Sequence, residues 1–373
     1  MTVIHLIASL DRGGAENHLV SLAKRQVTHG ERVVVIYMKG SGYWHTEMSR
    51  FGVTTIGLNL RYHLSLFALI KCIKIVTVFK PRLIHAHLPP AELLGSMVAS
   101  ICRVPLIVTK HSDAGFIAAS RTNKLNYFNR LCTKHFLKKP VKIICISKRV
   151  YDYFNNFGCN GFNTKAVVIP YCFDPSLYVV SACHQTEYVL KTFVQGAHLV
   201  LINIARHVPQ KQINMIIEAL ALAHASGTDI RLIQLGSGSL TKALKARSKK
   251  LGVENKIFWG GTREDINTYI KYADVFTLTS AYEGFGLVIL EAMYSSLPIV
   301  ASKFGDIEDV LPRKQLAYLL KNNDPGELLK LWISLSNADL RNELGKANRI
   351  RAAESYDPSL VVSRIQSVYD CLN

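Results

Sequence analysis

Several patterns that would point to a particular class of protein are missing from this sequence. No two of its eight cysteines form a Cys-x-x-Cys pair, and their irregular spacing predicts buried, reduced thiols rather than a zinc site. No uninterrupted apolar run reaches about 18 residues, the length that a membrane-spanning helix needs. The Gly-x-Gly-x-x-Gly fingerprint of dinucleotide-binding proteins is also missing from the predicted strand-to-helix turns.

Acidic residues are scarce, and the imbalance is concentrated in the first half of the chain. The 373 residues include 45 Lys and Arg against 27 Asp and Glu, a formal net charge of +18. Residues 1–180 contain 23 basic and 8 acidic side chains, or +15, whereas residues 181–373 contain 22 and 19, or +3. The strong positive charge of residues 1–180 predicts an anionic partner, which could be nucleic acid, a phosphorylated substrate or an anionic lipid surface.

Short segments rich in Val and Ile alternate along the chain with stretches of helical periodicity, a pattern typical of parallel sheets with crossover helices. Predicted strands are Val3–Ala8, Arg32–Met38, Thr54–Leu58, Leu83–Ala86, Leu106–Lys110, Ile143–Ile146, Ala166–Ile169, Leu199–Ala205, Arg231–Gly236, Lys256–Trp259, Val275–Leu278 and Ile299–Ala301. Predicted helices include Glu16–His29, Glu92–Cys102, Gln212–Ala225, Leu240–Leu251, Gly286–Ser295 and Pro358–Leu372. The less regular stretch from Pro170 to Gly196 is predicted to connect two domains.

This length suits two domains, because single domains seldom exceed about 200 residues. We predict the α/β class, with two facing, doubly wound domains at residues 1–180 and 181–355. A C-terminal helix, residues 356–373, is expected to pack back on the first domain. The apolar start Met1–Leu10 lacks a basic segment and a cleavage pattern, so we expect a buried strand rather than a signal peptide. Ligands of such sheets bind at the carboxyl ends of strands, which predicts a site in the cleft between the domains.

Two predicted strand-to-helix turns carry features that suit phosphate. Gly13 and Gly14 follow the first strand, where glycine lets the backbone approach a ligand and the N–H groups of the helix start favour an anion. Arg206 and Lys211 bracket a turn that contains Pro209 and could clamp a diphosphate together. The alternatives are an ordinary tight turn and two solvated cations.

A pair of glutamates flanks the start of another predicted helix. Glu283 precedes a Gly-Phe-Gly turn, and Glu291 lies eight residues further on in a mostly apolar helix. A glutamate in a buried helix needs a partner, and the paired hydroxyls of a ribose or hexose would serve. The helix start at Phe285, Gly286 and Leu287 would present its N–H groups to the same ligand.

Two further positions lie at predicted strand ends. Gly236 and Gly238 allow close backbone approach, although an ordinary turn with Ser239 as a helix cap explains them equally well. His111 follows the strand Leu106–Lys110, where a cleft residue is expected, whereas most single histidines are structural.

Taken in order, these residues resemble the retaining family 4 glycosyltransferases of GT-B fold. The resemblance covers almost the whole chain, and its most specific element is Glu283-x7-Glu291. The other matching elements are Gly13-Gly14-Ala15-Glu16, His111, Arg206 with Lys211, and Gly236-Ser-Gly238.

This resemblance implies a role for each matching residue. Arg206 and Lys211 would neutralise the diphosphate of a UDP- or GDP-linked sugar, and Glu291 would bind its ribose. Glu283 and His111 would contact the transferred sugar. Approach to the phosphates is the role implied for Gly14, while Gly236, Gly238 and the helix start at residues 285–287 would complete the donor site.

The same resemblance implies that no metal or other cofactor is needed, and the sequence contains no Asp-x-Asp metal motif. The chain departs from the family pattern at three places. Tyr171 and Cys172 stand where Asn and Gly are usual, Asp306 replaces a second glycine, and Ser296 stands where glycine is common. These departures concern the interdomain segment and the donor loop.

The basic first half would be the acceptor domain. Leu64–Lys80 and Asn126–Lys142 mix basic with apolar or aromatic residues, as surfaces that dock on anionic bilayers do. We therefore expect a cytoplasmic enzyme, peripheral on the inner face of the membrane, with a glycan or lipid-linked acceptor. The alternative is a basic face that remains in solvent.

Three other classes of protein fit the sequence less well than a family 4 glycosyltransferase. A sugar-nucleotide 2-epimerase of GT-B fold is disfavoured by the paired glutamates. A nucleic-acid-binding protein would explain the basic half, but no binding motif supports it and the glycine-rich turns would be unexplained, so we expect no nucleic acid partner. A nicotinamide-dependent dehydrogenase is disfavoured by the missing glycine fingerprint.

Overall fold

The computed structural model describes residues 1–11, 13–60, 66–112, 140–156, 161–178, 184–283 and 285–372. Within them the chain divides into two compact units. The first contains residues 1–174 together with 356–373, and the second contains residues 175–355. Among the described residues, every helix is too short or too polar to cross a bilayer.

The first unit is built on a parallel sheet of seven strands. Its strands are β1 Thr2–Ser9, β2 Arg32–Lys39, β3 Thr54–Gly57, β4 Leu83–His87, β5 Leu106–Lys110, β6 Lys142–Cys145 and β7 Ala166–Val168. Its helices are α1 Gly14–Thr28, α2 His45–Arg50, α3 Leu66–Phe79, α4 Pro89–Cys102, α5 Lys148–Asn156 and α6 Phe162–Lys165. The order β3-β2-β1-β4-β5-β6-β7 reverses direction between β1 and β4.

The second unit is built on a parallel sheet of six strands in the order β10-β9-β8-β11-β12-β13. Its strands are β8 Leu199–Ile204, β9 Ile230–Leu235, β10 Ile257–Gly261, β11 Val275–Leu278, β12 Ile299–Ser302 and β13 Leu319–Leu320. The other helices within the described residues are α7 His184–Val194, α8 Ile213–Ala225, α9 Thr241–Lys250, α10 Ile266–Ile270, α11 Leu287–Tyr294, α12 Ile307–Val310, α13 Pro325–Ser334, α14 Ala338–Tyr356 and α15 Pro358–Asp370. Two doubly wound α/β units confirm the predicted fold class.

The two faces of the first sheet are covered by different helices. One face packs apolar residues of β1, β4 and β5 against α3 and α4. The other packs Val3, Leu83 and Ile107 against α1 and the C-terminal helix α15, which contributes Ile365 and Tyr369. Because α15 covers this face, the last helix of the chain belongs to the core of the first unit.

The predicted irregular connection is wrong in one respect, because it contains a helix. A 3₁₀ turn spans Pro175–Tyr178 and α7 spans His184–Val194. Of the α7 residues, Leu190 is the buried one, while Tyr188 is 74% exposed. With so little of its apolar surface in the core, α7 lacks the buried stripe that marks helices such as α1, α4 and α8 in the sequence.

Candidate active site

The second sheet brings the loops after β8 and β11 together at its carboxyl edge. These strands are neighbours, and the strand order reverses between them. Such a reversal opens a crevice where parallel α/β sheets bind their ligands. The loop after β8 carries Arg206 and Lys211, and the loop after β11 carries Glu283 and leads into α11 with Glu291. Arg206, Lys211, Glu283 and Glu291 are thus carried by elements that meet at one edge of the second unit.

Lys211 joins the two loops through an ion pair. It ends the 3₁₀ turn Pro209–Lys211, is 9% exposed, and its ammonium donates to Glu283 Oε1. The same carboxylate oxygen accepts from Ser280 Oγ at 2.7 Å, and Thr279 Oγ1 donates to the Lys211 carbonyl at 3.0 Å. A buried ammonium needs such a counter-charge, so the environments of Lys211 and Glu283 depend on each other.

Arg206 provides a second cation with a different environment. Its side chain is exposed, and it makes no hydrogen bond or ion pair with the residues that the structure describes. A guanidinium in this situation is available to an anion at the crevice without first breaking an internal pair.

Gly236 and Gly238 are required by the contact between the loops after β8 and β9. A Cβ at Gly236, whose φ is +113°, would lie 2.0 Å from the Ala205 carbonyl oxygen, and one at Gly238 would lie 2.5 Å from that of His207. The loops are also joined by the hydrogen bond from the His207 N–H to the Ser237 carbonyl at 3.0 Å. Both glycines therefore shape the crevice by packing of the protein's own backbone, independently of any ligand.

Glu291 has a buried carboxylate oxygen without a partner. Its Oε2 is enclosed and makes no hydrogen bond within the described residues, and burial raises the pKa of the group to about 7. Buried polar atoms in proteins are usually paired, so a donor from a ligand would satisfy this oxygen, one of several unpaired buried polar atoms in the described residues. Paired hydroxyls would donate to this oxygen.

The start of α11 faces the same edge with unoccupied backbone donors. Gly286 caps the helix in the left-handed region, at φ +77°, and α11 begins without a side-chain cap. A Cβ at Gly286 would lie 3.2 Å from the ring of Phe304. Phe285 and Leu287 on either side are buried. The uncapped N–H groups at this helix start favour a negatively charged ligand group.

A cleft of about 360 Å³ lies beside these loops, between the starts of α8, α9 and α13. Its lining includes Val208, Ile213, Met215, Leu240 and Leu244, and none of the predicted site residues. The cleft therefore adjoins the candidate site without being part of it.

In the first unit, Gly14 begins α1, the helix that follows β1. A Cβ at Gly13 would lie 2.2 Å from the Glu16 carboxylate, which folds back to accept a hydrogen bond from Ser9 Oγ at 2.5 Å and would have to move aside. Burial raises the pKa of Glu16. Gly13, the N-cap of α1, makes no side-chain cap hydrogen bond, and the phosphate contact expected at this helix start stays a prediction.

His111 lies just after β5 and is buried, with both ring nitrogens bonded. Nε2 lies 3.1 Å from His87 Nδ1, and Nδ1 lies 3.1 Å from the Tyr171 hydroxyl. Burial is the main cause that lowers the pKa of His111 well below its usual value, so the ring is neutral. A neutral ring with no free nitrogen is held in place and is not available as a proton acceptor.

Sequence reasoning missed the residues that surround His111. His85 and His87 alternate along β4, a period of two that places both on one face of the sheet and could have signalled a cluster. The buried ion pair of Glu92 with Lys110 at the end of β5 was missed as well. No sequence signal links these two residues, because they are 18 positions apart on different elements.

Ring nitrogens of His5, His85 and His87 lie within 4.8 Å of one another, a spacing that a metal ion could use. Each ring already has protein partners, however. His85 bonds the Tyr369 hydroxyl at 2.6 Å and Thr109 Oγ1 at 2.7 Å, for example. A divalent ion would break these bonds and bring a buried charge with no carboxylate among the partners. The cluster fits a hydrogen-bond network better than a metal centre.

Two doubly wound units, one with cations and a glutamate pair at its strand-order reversal, define a glycosyltransferase of GT-B fold. The model for glycosyl transferases group 1 matches residues 187–351, and that for glycosyltransferase family 4 matches residues 12–177. Together these matches cover most of the chain, which therefore belongs to the family 4 glycosyltransferases, enzymes that use nucleotide-sugar donors.

Relatives and solved structures agree with this assignment. The chain is 24% identical to the Escherichia coli UDP-Gal:alpha-D-GlcNAc-diphosphoundecaprenol alpha-1,3-galactosyltransferase, over 88% of this chain and 85% of that enzyme. It is 24% identical to a Mycobacterium leprae phosphatidyl-myo-inositol mannosyltransferase, over 77% and 72%. Anabaena HepE, solved in complex with UDP and glucose, covers all of both chains at a TM-score of 0.84 and 22% identity.

Proposed function

We propose that this protein is a retaining glycosyltransferase that moves a hexose from a UDP-linked donor to a lipid-linked or cell-surface glycan precursor. The unpaired, buried carboxylate oxygen of Glu291 carries the proposal, because it lies on the helix that starts at the same crevice as Lys211. The donor base and acceptor class are supported by the names of the E. coli relative and of the HepE complexes with UDP and UDP-glucose.

Each crevice residue has a distinct part in this proposal. Arg206 and Lys211 bind the diphosphate, with the N–H groups at the start of α11 as additional donors. Glu291 accepts from the ribose hydroxyls, and Glu283 accepts from hydroxyls of the transferred sugar. Gly14 at the start of α1 approaches the phosphates, and His111 contacts the sugar near its reacting carbon.

The chemistry follows from where charge develops. As the bond between the anomeric carbon and the phosphate oxygen breaks, its electron pair passes to the leaving diphosphate, and fixed cations and N–H dipoles lower the barrier by stabilising that charge. The acceptor oxygen bonds to the same face of the oxocarbenium-like sugar, while the departing phosphate takes the acceptor proton. Protein cations supply the charge that a metal provides elsewhere, so we propose transfer without a metal.

The donor site is tested by removing one charge from Glu291 without changing its shape. We expect Glu291→Gln to weaken UDP binding about 10-fold, because hydrogen bonds to a charged acceptor are worth more than those to a neutral one. Binding of 2′,3′-dideoxy-UDP should not be weakened in this variant, because that nucleotide has no ribose hydroxyls for Glu291 to bind. Calorimetry with UDP, GDP, ADP and the dideoxy nucleotide, in buffer containing EDTA, measures each dissociation constant.

Glu343→Gln is the matched control, because Glu343 forms an exposed pair with Lys314 and should leave UDP binding unchanged. An equal loss of affinity for UDP and its dideoxy form would contradict the ribose role. Binding of GDP or ADP in place of UDP would overturn the proposed donor.

For the acceptor side, α3 presents an unusual surface. Leu66, Phe67, Ile70 and Val78 are 73%, 65%, 46% and 75% exposed. Lys74 is exposed on the same helix, and the sequence has no acidic residue from 48 to 91. Exposed apolar side chains with cations and no acids suit the surface of an anionic bilayer. The other predicted segment, Asn126–Lys142, lies almost wholly outside the described residues.

We expect the protein to float with vesicles that contain 30% anionic phospholipid, and Phe67→Ser with Ile70→Ser to reduce the bound fraction at least fivefold. The reason is the loss of two large apolar side chains from the contact. Tyr188→Ser with Val189→Ser, on α7 of the second unit, removes two comparable exposed side chains as a control. Undiminished flotation of the α3 variant would rule out this surface.

A further inference from the structure

The face of the first sheet that α1 and α15 cover contains a cluster of neutral histidines. His5 and His85 are paired in register on neighbouring strands β1 and β4. All members are buried, and burial lowers the pKa of every one, to about 4 for His5 and about 3 for His18. The cluster consists of His5, His18, His85, His87 and His111.

Four hydrogen bonds run in line through this cluster, from the core to the end of β5. Gln26 Oε1 lies 2.8 Å from His5 Nε2, and His5 Nδ1 lies 3.1 Å from His87 Nε2. His87 Nδ1 lies 3.1 Å from His111 Nε2, and His111 Nδ1 lies 3.1 Å from the Tyr171 hydroxyl. We name this series, Gln26–His5–His87–His111–Tyr171, the histidine chain.

The direction of every bond in the histidine chain follows from one group. A neutral imidazole has one donor and one acceptor nitrogen, so fixing one end of a chain of imidazoles fixes the rest. With the Gln26 carbonyl oxygen at His5 Nε2, that nitrogen must carry the proton. His5 Nδ1 then accepts from His87 Nε2, and His87 Nδ1 accepts from His111 Nε2. His111 therefore also carries its proton on Nε2.

The opposite direction would require the Gln26 amide to turn over. Burial raises the pKa of Tyr369, and a side-chain hydrogen bond from Gln26 partly lowers it, so the Gln26 amide nitrogen faces the Tyr369 hydroxyl and its carbonyl oxygen is left for His5. At the outer end, the Tyr171 hydroxyl both donates and accepts and tolerates either direction. Gln26 is thus the member that selects the tautomers.

We propose that Gln26, His5 and His87 are positioning residues that hold His111 in a single tautomer and ring orientation beside the transferred sugar. The placement of His111 at the sugar rests on the proposed function, whereas the tautomer does not. Tyr171, which closes the chain, stands where the family pattern has asparagine.

The proposal is tested by combining histidine NMR with kinetics on Gln26→Met and Gln26→Glu. Long-range ¹H–¹⁵N correlation of ¹⁵N-histidine-labelled protein reports the tautomer directly. We expect wild-type His111 to be protonated on Nε2 alone. Gln26→Met removes the acceptor and should give mixed tautomers at His5, His87 and His111. We expect its kcat to fall about 10–100-fold at unchanged KM for the donor, since small misplacements of a contacting group cost this much.

Gln26→Glu supplies an acceptor oxygen again and should restore both the single tautomer and most of kcat. Gln315→Met, which removes a buried glutamine from the second unit, controls for lost stability and should change no tautomer in the first. An unchanged His111 tautomer in Gln26→Met would overturn the histidine chain. Mixed tautomers with unchanged kcat would overturn its positioning role. An absence of sugar transfer by the wild-type protein would instead contradict the proposed function. The NMR experiment would still show whether the histidine chain fixes the tautomer of His111.

Discussion

Replacing Glu283 with glutamine is expected to lower kcat about 10²–10³-fold, the usual effect of losing one preorganised polar contact to the reacting group. Binding of UDP should not weaken, and it should strengthen several-fold. The reason is the ion pair of Glu283 with Lys211, which shares the lysine charge between the carboxylate and any diphosphate. Glutamine keeps the hydrogen bond from Ser280 but leaves the whole lysine charge for the diphosphate. Calorimetry with UDP and initial-rate kinetics with the UDP-sugar measure the two effects.

Glutamine separates the effect on sugar transfer from the effect on nucleotide binding better than alanine does. Alanine would leave Lys211 buried without a counter-charge, and the resulting rearrangement would alter nucleotide binding as well as transfer. Glu187→Gln is a matched control, because it removes the charge from an exposed pair with Lys271 in the same unit. A rise in the Kd for UDP that matches the fall in kcat would show that Glu283 builds the diphosphate site instead of contacting the sugar.

This coupling shows where sequence reasoning reaches its limit. Lys211 and Glu283 were both predicted as site residues from local patterns, a turn with flanking cations and a glutamate before a glycine turn. Their contact spans 72 positions, and it depends on β8 and β11 being neighbours in the sheet. A local pattern indicates which residues carry chemistry, but the strand order determines which of them touch.

The glycines illustrate a second limit. Gly236 and Gly238 were predicted either to approach a ligand or to form an ordinary turn. In the structure they are required because two loops of the protein cross at close range. The resemblance to a family pointed to these two positions, but the reason for glycine at each is the neighbouring backbone, which a single sequence does not show.

Histidines were the least predictable part of the first unit. His5 and His85 stand inside apolar strands, and a single sequence gives no sign that they pair across β1 and β4. The fold itself was predictable, because alternating apolar strands and amphipathic helices are local signals. Strand β13 was not predicted, because it has only two residues and so short a segment shows no periodicity.

The first unit is expected to unfold in mild acid at a pH where the second remains folded. Its five buried histidines, all with lowered pKa, are neutral in the folded state, whereas in the unfolded chain each titrates near pH 6.5. Below pH 6.5 the unfolded state therefore binds more protons, and folding free energy is lost as pH falls toward about 4, the pKa of folded His5. Each such histidine lowers the free energy of unfolding by about 1.4 kcal/mol for every pH unit below 6.5.

Several histidines together would remove most of a typical stability of about 5–15 kcal/mol by pH 5. Hydrogen exchange of peptides from β1, β4 and α1, compared with β8, β9 and α8, measures the two units separately between pH 7.5 and 4.5. His85→Asn removes one titrating ring and should reduce the slope for the first unit by about 1.4 kcal/mol per pH unit. His29→Asn, at an exposed position, should leave the slope unchanged. Equal protection of the first unit at pH 7 and pH 5 would mean that these rings accept protons without loss of the fold, and the cluster would not be the neutral network described above.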